Sequence, residues 1–365
     1  MNLLVVTGHY PVKQDPVRGI FVKNTVSEMT SLGVTVDVIA PLSFKLRYLF
    51  RDLVLEDENV ALPLFFKVPA KLMRLNIFGL KQYFFTRSVV GAYSVKRQKN
   101  VYDAVYAHFL FPAGDAALAV AKRADIPAYL ALGESDFKKW EKFFSIEQLA
   151  NKLNNFNRIF PNSPSLSELL VSRYKVSQEK VVFVPNGVNT DVFYPRDKKA
   201  CRAELNLPQN VKIVLFVGGF VERKGPLRVL EACRQMKHKP LMVFLGKGQQ
   251  QPIDERILFK GAVNQTLLVK YLNAADVFVL PTTNEGMPNA ILEAMACNLP
   301  IVTSDIPVNK YLLEEYASAR VCDPYDQKAL SVHIAELLDD LDVLPTVFKY
   351  SVRNRAKRLL RYIMA

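Results

Sequence analysis

Residues 282–297, Thr-Thr-Asn-Glu-Gly-Met-Pro-Asn-Ala-Ile-Leu-Glu-Ala-Met-Ala-Cys, set two carboxylates, Glu285 and Glu293, around a Gly-x-Pro turn. Carboxylates accept hydrogen bonds from hydroxyls, the groups that sugars and ribose present. The preceding run, Asp276-Val277-Phe278-Val279-Leu280-Pro281, has strand length, and Ala290 to Ala296 is made of good helix formers. Strand, loop and helix thus follow in order. The free N–H groups of the first helical turn, around Met287 to Ala290, then face the loop and can bind phosphate or hydroxyl oxygens. Taken alone, either glutamate reads more simply as a helix cap or a solvated surface residue. The pattern as a whole outlines a sugar-nucleotide site.

Two further loops carry the same chemistry. Gly218-Gly219-Phe220-Val221-Glu222-Arg223-Lys224-Gly225 follows an apolar run, precedes a helix, and offers flexible backbone with the cations Arg223 and Lys224, as a diphosphate requires. Asp15-Pro16-Val17-Arg18-Gly19 follows the first apolar run, where Gly19 can let a ligand approach the backbone, though by itself it reads as a turn residue. Neither loop is a G-x-G-x-x-G or Walker sequence, which argues against a dinucleotide oxidoreductase or a P-loop enzyme.

These loops need strands and helices to position them. At 365 residues, 50% hydrophobic and 23% charged, the chain suits two globular domains. Both halves read as repeated strand-then-helix units, hence mainly parallel, doubly wound sheets. Strands are expected near 3–7, 35–39, 104–107, 128–132 and 158–161, then near 212–217, 241–245, 257–260, 277–280 and 301–303. Helices are expected over 22–32, 226–237, 265–274 and 289–296, with a joint around Asn186 to Gln209, rich in Asn, Pro and charge. Four cysteines without C-x-x-C spacing and four histidines without metal pairing predict reduced thiols and no structural metal. The start, Met1 to His9, has no basic leader, and no uncharged apolar run approaches 18 residues. A cytoplasmic chain that does not span a membrane is expected.

The net charge of +13 is unevenly placed. Residues 59–102 contain no acid but eight basic residues, including Lys67, Lys71, Arg74, Lys81, Arg87 and Lys96, and residues 343–365 add six more, Arg353 to Arg361 among them. Eight aromatics, including Phe65, Phe66, Phe78, Tyr83, Phe84 and Phe85, are interleaved in the first segment. Cations with aromatics suit a surface lying on an anionic membrane, with nucleic acid as the rival partner and a solvated basic face as the plain reading. A helix over Lys71 to Ser88 would stack Arg74, Phe78, Lys81 and Phe85 in one stripe. The membrane is the preferred partner, and no nucleic acid is expected.

The motif set resembles glycosyltransferase family 4, retaining enzymes of the GT-B fold. The resemblance runs through Gly19, Ala107-His108-Phe109-Leu110-Phe111-Pro112-Ala113-Gly114, Val184-Pro185-Asn186-Gly187-Val188-Asn189, Val217-Gly218-Gly219 to Lys224-Gly225, and Glu285-Gly286-Met287-Pro288-Asn289 to Glu293-Ala294. The last stretch is highly specific. The first half is similar in particular to bacterial enzymes of polysaccharide and teichuronic acid biosynthesis. The resemblance implies an α/β protein of two Rossmann-like doubly wound domains facing a central cleft. An acceptor domain would span 1–190, a nucleotide-sugar donor domain 191–345, and a helix in 346–365 would return to the first domain.

It further implies transfer of a hexose from a nucleoside diphosphate sugar to a cell-surface polysaccharide or lipid-linked glycan, at the inner face of the cell membrane. The leaving phosphate would take the acceptor proton on the same face of the sugar, without metal or cofactor, so fixed cations and dipoles would carry much of the catalysis. Glu293 would hold the ribose; Glu285, with the backbone at Gly286, Met287, Pro288 and Asn289, the donor sugar. Lys224 would neutralise the diphosphate and, with Glu285, serve catalysis. Gly218, Gly219, Arg223 and Val263 would line the donor, Gly19 would reach its phosphates from the opposite domain, and His108, Glu134 and Asp136 would belong to the acceptor and sugar region.

Three positions depart from the family pattern. Gly219 stands where relatives usually carry arginine, Gly133 where many carry histidine, and Pro307-Val308 where a glycine pair is usual. Two rival readings follow: a GT-B nucleotide-sugar epimerase or hydrolase, and an inactive nucleotide-sugar-binding partner, to which Gly133 and Gly219 lend weight.

Overall fold

Leu3 to Val6 are all buried, and a strand with no exposed side chain in succession must be covered on both faces. In the computed structural model, which describes residues 1–12, 15, 18–43, 59–65, 78–134, 136–339 and 348–365, this segment is β1 (Asn2–Thr7). It sits inside a six-stranded sheet with β2 (Thr35–Ile39), β4 (Val60–Ala61), β6 (Ala104–His108), β7 (Ala128–Leu132) and β8 (Arg158–Pro161), in the order β4-β2-β1-β6-β7-β8. Every pairing in it is parallel. A separate short parallel pair joins β3 (Leu42–Ser43) to β5 (Leu64–Phe65).

Alternation along the strands sorts the covering helices. Leu3, Val5, Tyr106 and Phe160 meet α1 (Ile20–Ser31) and the last helix, α12 (Val352–Ile363), through Val22, Val26, Met29, Ala356 and Leu359. Leu4, Val6, Val105 and Ala107 meet α2 (Phe78–Lys96), α3 (Asp115–Ala124), α4 (Ile146–Asn154) and α5 (Pro164–Ser172) through Phe85, Val89, Val120, Leu149 and Leu170. The second unit repeats the plan. Its sheet runs β11-β10-β9-β12-β13-β14, with β9 (Ile213–Val217), β10 (Leu241–Leu245), β11 (Ile257–Gly261), β12 (Val277–Leu280), β13 (Ile301–Ser304) and β14 (Ala319–Cys322), all parallel. Its helices are α6 (Lys198–Glu204), α7 (Pro226–Gln235), α8 (Gln265–Ala274), α9 (Asn289–Ala296), α10 (Pro307–Leu313) and α11 (Gln327–Asp339).

The units divide at Gly187–Val188 and again at Ser351–Val352, so the first holds Met1–Gly187 with Val352–Ala365 and the second Val188–Ser351. α12 returns to the first unit because its buried stripe completes the α1 face. Arg355, also buried, donates to the carbonyls of Val184 and Pro185, and the Tyr129 hydroxyl donates to the Ile363 carbonyl at 3.2 Å. The stretch read as a structureless joint contains α6, whose start is capped by Asp197 accepting the Ala200 N–H at 2.7 Å. Seven residues are too few to show a helical period.

The stripe expected along Lys71 to Ser88 does not form as drawn. Arg74 lies outside the described residues, and Phe85 is 1% exposed, packed in the core. α2 instead presents Leu80, Tyr83, Arg87 and Val95 to solvent, and it lies on the opposite face of its sheet from α12. Among the described residues, α2 and the basic helix α12 therefore do not share one face.

In each sheet the strand order reverses once, between β1 and β6 in the first and between β9 and β12 in the second. At such a point the connections leave in opposite directions and a crevice opens beyond the carboxyl ends of the strands. The loops singled out in the sequence follow β1, β6, β9 and β12. β9 and β12 pair only at Val214 and Leu215, which leaves their ends apart.

The far end of the first sheet is tied by a buried carboxylate. Asp37 accepts from Lys96 Nζ at 2.6 Å, Tyr102 Oη at 2.6 Å and Asn100 Nδ2 at 2.7 Å. Burial pushes its carboxyl up, but these hydrogen bonds and the Lys96 charge outweigh burial and hold it below the usual range. A carboxyl lowered by folding stabilises above its unfolded pKa and loses that contribution as pH falls through the folded value. Asp37→Asn is expected to cost about 3 kcal/mol at pH 7, the lower end for a broken buried pair since Lys96 reaches solvent, and less at pH 3. Urea unfolding of both proteins at the two pH values measures it.

Candidate functional site

The second unit builds its site from two loops held edge to edge. After β9, Gly218 and Gly219 lead to a single 3-10 turn, Glu222–Lys224, which ends at Gly225 in a left-handed conformation (φ 74°) before α7. A Cβ at Gly225 would lie 2.6 Å from the Arg228 guanidinium and 2.7 Å from the Pro281 carbonyl, so only glycine fits. Arg228, buried and unremarked in the sequence, donates to Pro281 O at 2.8 Å and Glu222 O at 2.8 Å and pairs with the Glu222 carboxylate. The Thr283 N–H closes the junction on Arg223 O at 2.9 Å.

This clamp brings Lys224, Arg223 and Glu285 together. Lys224 Nζ donates to Glu285 Oε1, Arg223 Nη1 lies 3.4 Å from the same oxygen and also donates to Asn284 O, and the Thr282 hydroxyl donates to Glu285 Oε1 at 2.8 Å. Thr282 is another member that the sequence reading passed over. Behind the loop, the hydroxyls of Thr303 and Ser304 donate to the carbonyls of Leu280 and Thr282. Buried Asn309, in α10, donates to Thr303 Oγ1 and Ser304 O at 3.0 Å each. Pro307 opens α10, so the departure from the glycine pair makes a proline-started helix there.

Gly286, Met287, Pro288 and Asn289 run into α9, with Met287 and Pro288 buried and Asn289 exposed at its first position. Glu293 is partly buried on that helix, and burial pushes its carboxyl up to about 8. Val263, half-buried, precedes the Asn264 cap of α8 after β11. Gly218 packs on Phe216 and Leu280, whereas an added Cβ at Gly219 meets nothing nearer than 3.9 Å. The missing arginine at Gly219 therefore leaves open space, and Arg223 is already engaged with Asn284 and Glu285.

In the first unit Gly19 starts α1 in a left-handed conformation (φ 64°), and a Cβ there would strike the His9 carbonyl at 2.3 Å. Its own backbone packing requires the glycine. Beside it, β6 ends in His108, which is buried; burial first, then the Arg355 charge, pushes its imidazole down to about 3, so it is neutral. Phe109 holds φ 68°, ψ 145°, a costly region for a residue with a Cβ, fixed by Phe109 N–H to Ala131 O at 2.8 Å and Gly114 N–H to Phe109 O at 3.0 Å. Glu134 is buried; burial raises its carboxyl, and it accepts the N–H of Gly133 at 3.1 Å and of Leu110 at 3.4 Å. Asp136 is exposed. A side chain at Gly133 would meet Asn162 Nδ2 at 3.1 Å and Phe109 at 3.5 Å, so those two residues occupy the space a histidine would need.

Each unit thus carries a cluster of polar loops at the reversal point of its sheet, and in the second unit cations and an acid stand beside a helix start. A family model for glycosyl transferases group 1 matches residues 197–355, and one for Glycosyltransferase Family 4 matches residues 19–192. The chain belongs to this family of glycosyltransferases, and its fold is GT-B. TuaC of Bacillus subtilis, named for teichuronic acid biosynthesis, is 28% identical over 84% of this chain and 81% of its own. Sucrose-phosphate synthase of Thermosynechococcus elongatus has the same fold, with a TM-score of 0.72 at 20% identity over 99% of this chain and 96% of that one. So does HepE of Anabaena, solved with UDP and glucose, with a TM-score of 0.69 at 16% identity over 100% and 99%.

The raised Glu293 carboxyl has a consequence for stability. The unfolded chain ionises this group first, so stability falls as pH rises from the ordinary glutamate range toward 8. Glu293→Gln is expected to remove that fall, gaining on the order of 3 kcal/mol at pH 8.5 and little at pH 5. Urea midpoints at the two values test the burial directly.

Proposed function

We propose that this glycosyltransferase is a retaining enzyme that moves a hexose from a nucleoside diphosphate sugar to a cell-surface polysaccharide or lipid-linked glycan. The observation that carries the reading is the pairing of Lys224 and Arg223 with Glu285 at the strand ends beside α9. Glu293 hydrogen-bonds the ribose hydroxyls, while Glu285 and the backbone at Met287 and Asn289 hold the donor sugar. Lys224 and Arg223 face the diphosphate and stabilise the charge that grows on it as the glycosidic bond breaks. The departing phosphate oxygen then takes the acceptor proton on the face it has left, so the new bond forms there. No metal enters this reading, because the two cations supply the charge a divalent ion would. The similarity to TuaC supports a polysaccharide acceptor, and the UDP and glucose bound to HepE support a nucleotide-sugar donor.

The test is a panel of nucleoside diphosphate sugars, with and without glycan acceptors and with EDTA, read by NMR. Expected is an acceptor-dependent product with the donor's anomeric configuration, formed with EDTA present. Inversion would sink the mechanism. Epimerised or hydrolysed donor without acceptor would favour the rival enzymes, and tight binding without turnover an inactive partner.

The same reading sets the protein on the inner face of the cell membrane through one side of the first unit. Among the described residues no helix is long and apolar enough to cross a membrane. On the α2 side, exposed Leu80, Tyr83, Arg87 and Val95 stand on the same layer as the knuckle 138–146, where Phe143 and Ile146 are exposed with Lys138, Lys139 and Lys142. Exposed apolar and aromatic groups among cations suit an anionic headgroup layer at about 1 kcal/mol per basic residue. The basic outer face of α12, on the other side, is left as a solvated face. Sedimentation should show salt-sensitive binding to anionic and not neutral vesicles, weakened by Arg87→Glu with Lys142→Glu; equal partition to both vesicle types would refute it.

A further inference from the structure

The amino ends of the strands in the second unit hold a charged cluster that the transferase site does not use. Lys212 stands one residue before β9 and Asp276 one before β12. With Lys198, Lys199 and Arg202 of α6 they line a cavity of about 280 Å³. The Asp276 carboxylate is already met on both oxygens: Lys198 Nζ donates to Oδ1 at 2.9 Å, and Arg202 Nη2 and the Ile213 N–H donate to Oδ2 at 2.7 Å each. Arg202 is buried and also holds the carbonyls of Ala274, Gln209 and Val211. Lys199 pairs with no carboxylate among the described residues.

Four cations therefore face one carboxylate that is itself fully engaged. Like charges gathered in a concave wall repel one another and focus a positive field, which a bound anion completes. Lys212 also lines a second cavity, of about 210 Å³, walled by Met236 after α7 and by Val332, Ala335 and Leu338 of α11. Its ammonium donates to the Leu338 carbonyl there. A cationic chamber and a mainly apolar one that share a lysine fit a molecule with phosphates at one end and a flat ring at the other. Together the two fall within the roughly 300 to 1,000 Å³ of small-molecule sites.

We propose that the amino-end pole of the second unit binds a nucleoside oligophosphate, its phosphate chain among Lys198, Lys199 and Lys212 and its nucleoside beside Met236, Val332 and Leu338. β9 has five residues, and a strand of that length puts about 17 Å between this pole and the loop that carries Lys224. The ligand bound here is thus an effector of the transferase and not its donor. The inference stands apart from the donor reading, since neither Lys224 nor Glu285 belongs to the site.

The experiment is calorimetry with ATP, GTP, UTP and inorganic tripolyphosphate, run beside melting curves on the wild type, on Lys198→Gln with Lys199→Gln, on Val332→Asp and on Lys224→Ala. The double variant should bind at least one of the nucleotides about 10- to 100-fold more weakly, the loss of charge-assisted hydrogen bonds. It should melt with the wild type, because Asp276 keeps Arg202 and the Ile213 N–H. Lys224→Ala should retain that binding. Val332, 46% exposed, is expected to affect the nucleoside end only, so Val332→Asp should weaken the nucleotide and leave tripolyphosphate unchanged. If the double variant melts lower, Lys199→Glu, which breaks no ion pair, is judged by the same readout. Nucleotide affinity unchanged in the lysine variants, or lost only in Lys224→Ala, overturns the proposal and leaves the cavity a solvated basic face.

Discussion

Arg228 holds the loops after β9 and β12 in one piece. A parallel sheet that reverses between β9 and β12 leaves the ends of those strands apart, and each end carries a loop. The buried guanidinium spans that gap, binding carbonyls of Glu222 and Arg223 on one side and of Pro281 on the other. Its planar set of donors suits several carbonyls at once, which a lysine could not match. Gly225 follows from the same contact, because no side chain fits between the guanidinium and the Pro281 carbonyl. Once the loops are joined, the positions of Lys224 and Arg223 over Glu285 follow.

The frame of this fold was legible because its signal is local. Leu3 to Val6, Ile213 to Phe216 and Val277 to Leu280 read as strands from apolar runs alone, and the loops after them carry Gly, Lys and Glu in unusual combination. What was not legible lies in pairings across long stretches of chain. Arg228 in the sequence is one more basic residue on a helix, and its partner Pro281 is 53 positions away. Arg355 belongs to a segment read as a returning helix carrying solvent- or membrane-facing charge, yet it is buried against Val184 and Pro185. Gly19 was read for what could approach it from outside, whereas the His9 carbonyl beneath it already demands glycine. The stripe on residues 71–88 failed for a related reason: helical spacing shows which residues share a side but not which side the core takes, and the core took Phe85.

At the loops after β9 and β12 positive charge is paired before any ligand arrives. Lys224 and Arg223 are both paired with Glu285, so under the function proposed above a diphosphate entering there draws on cations that already hold a carboxylate. The net electrostatic gain on binding is smaller than for free cations, but the geometry is set beforehand and little side-chain entropy remains to be lost. On the proposed reading Glu285 is freed in part as the cations turn to phosphate, leaving its oxygens for hydroxyls, so charge neutralisation and sugar recognition become a single exchange.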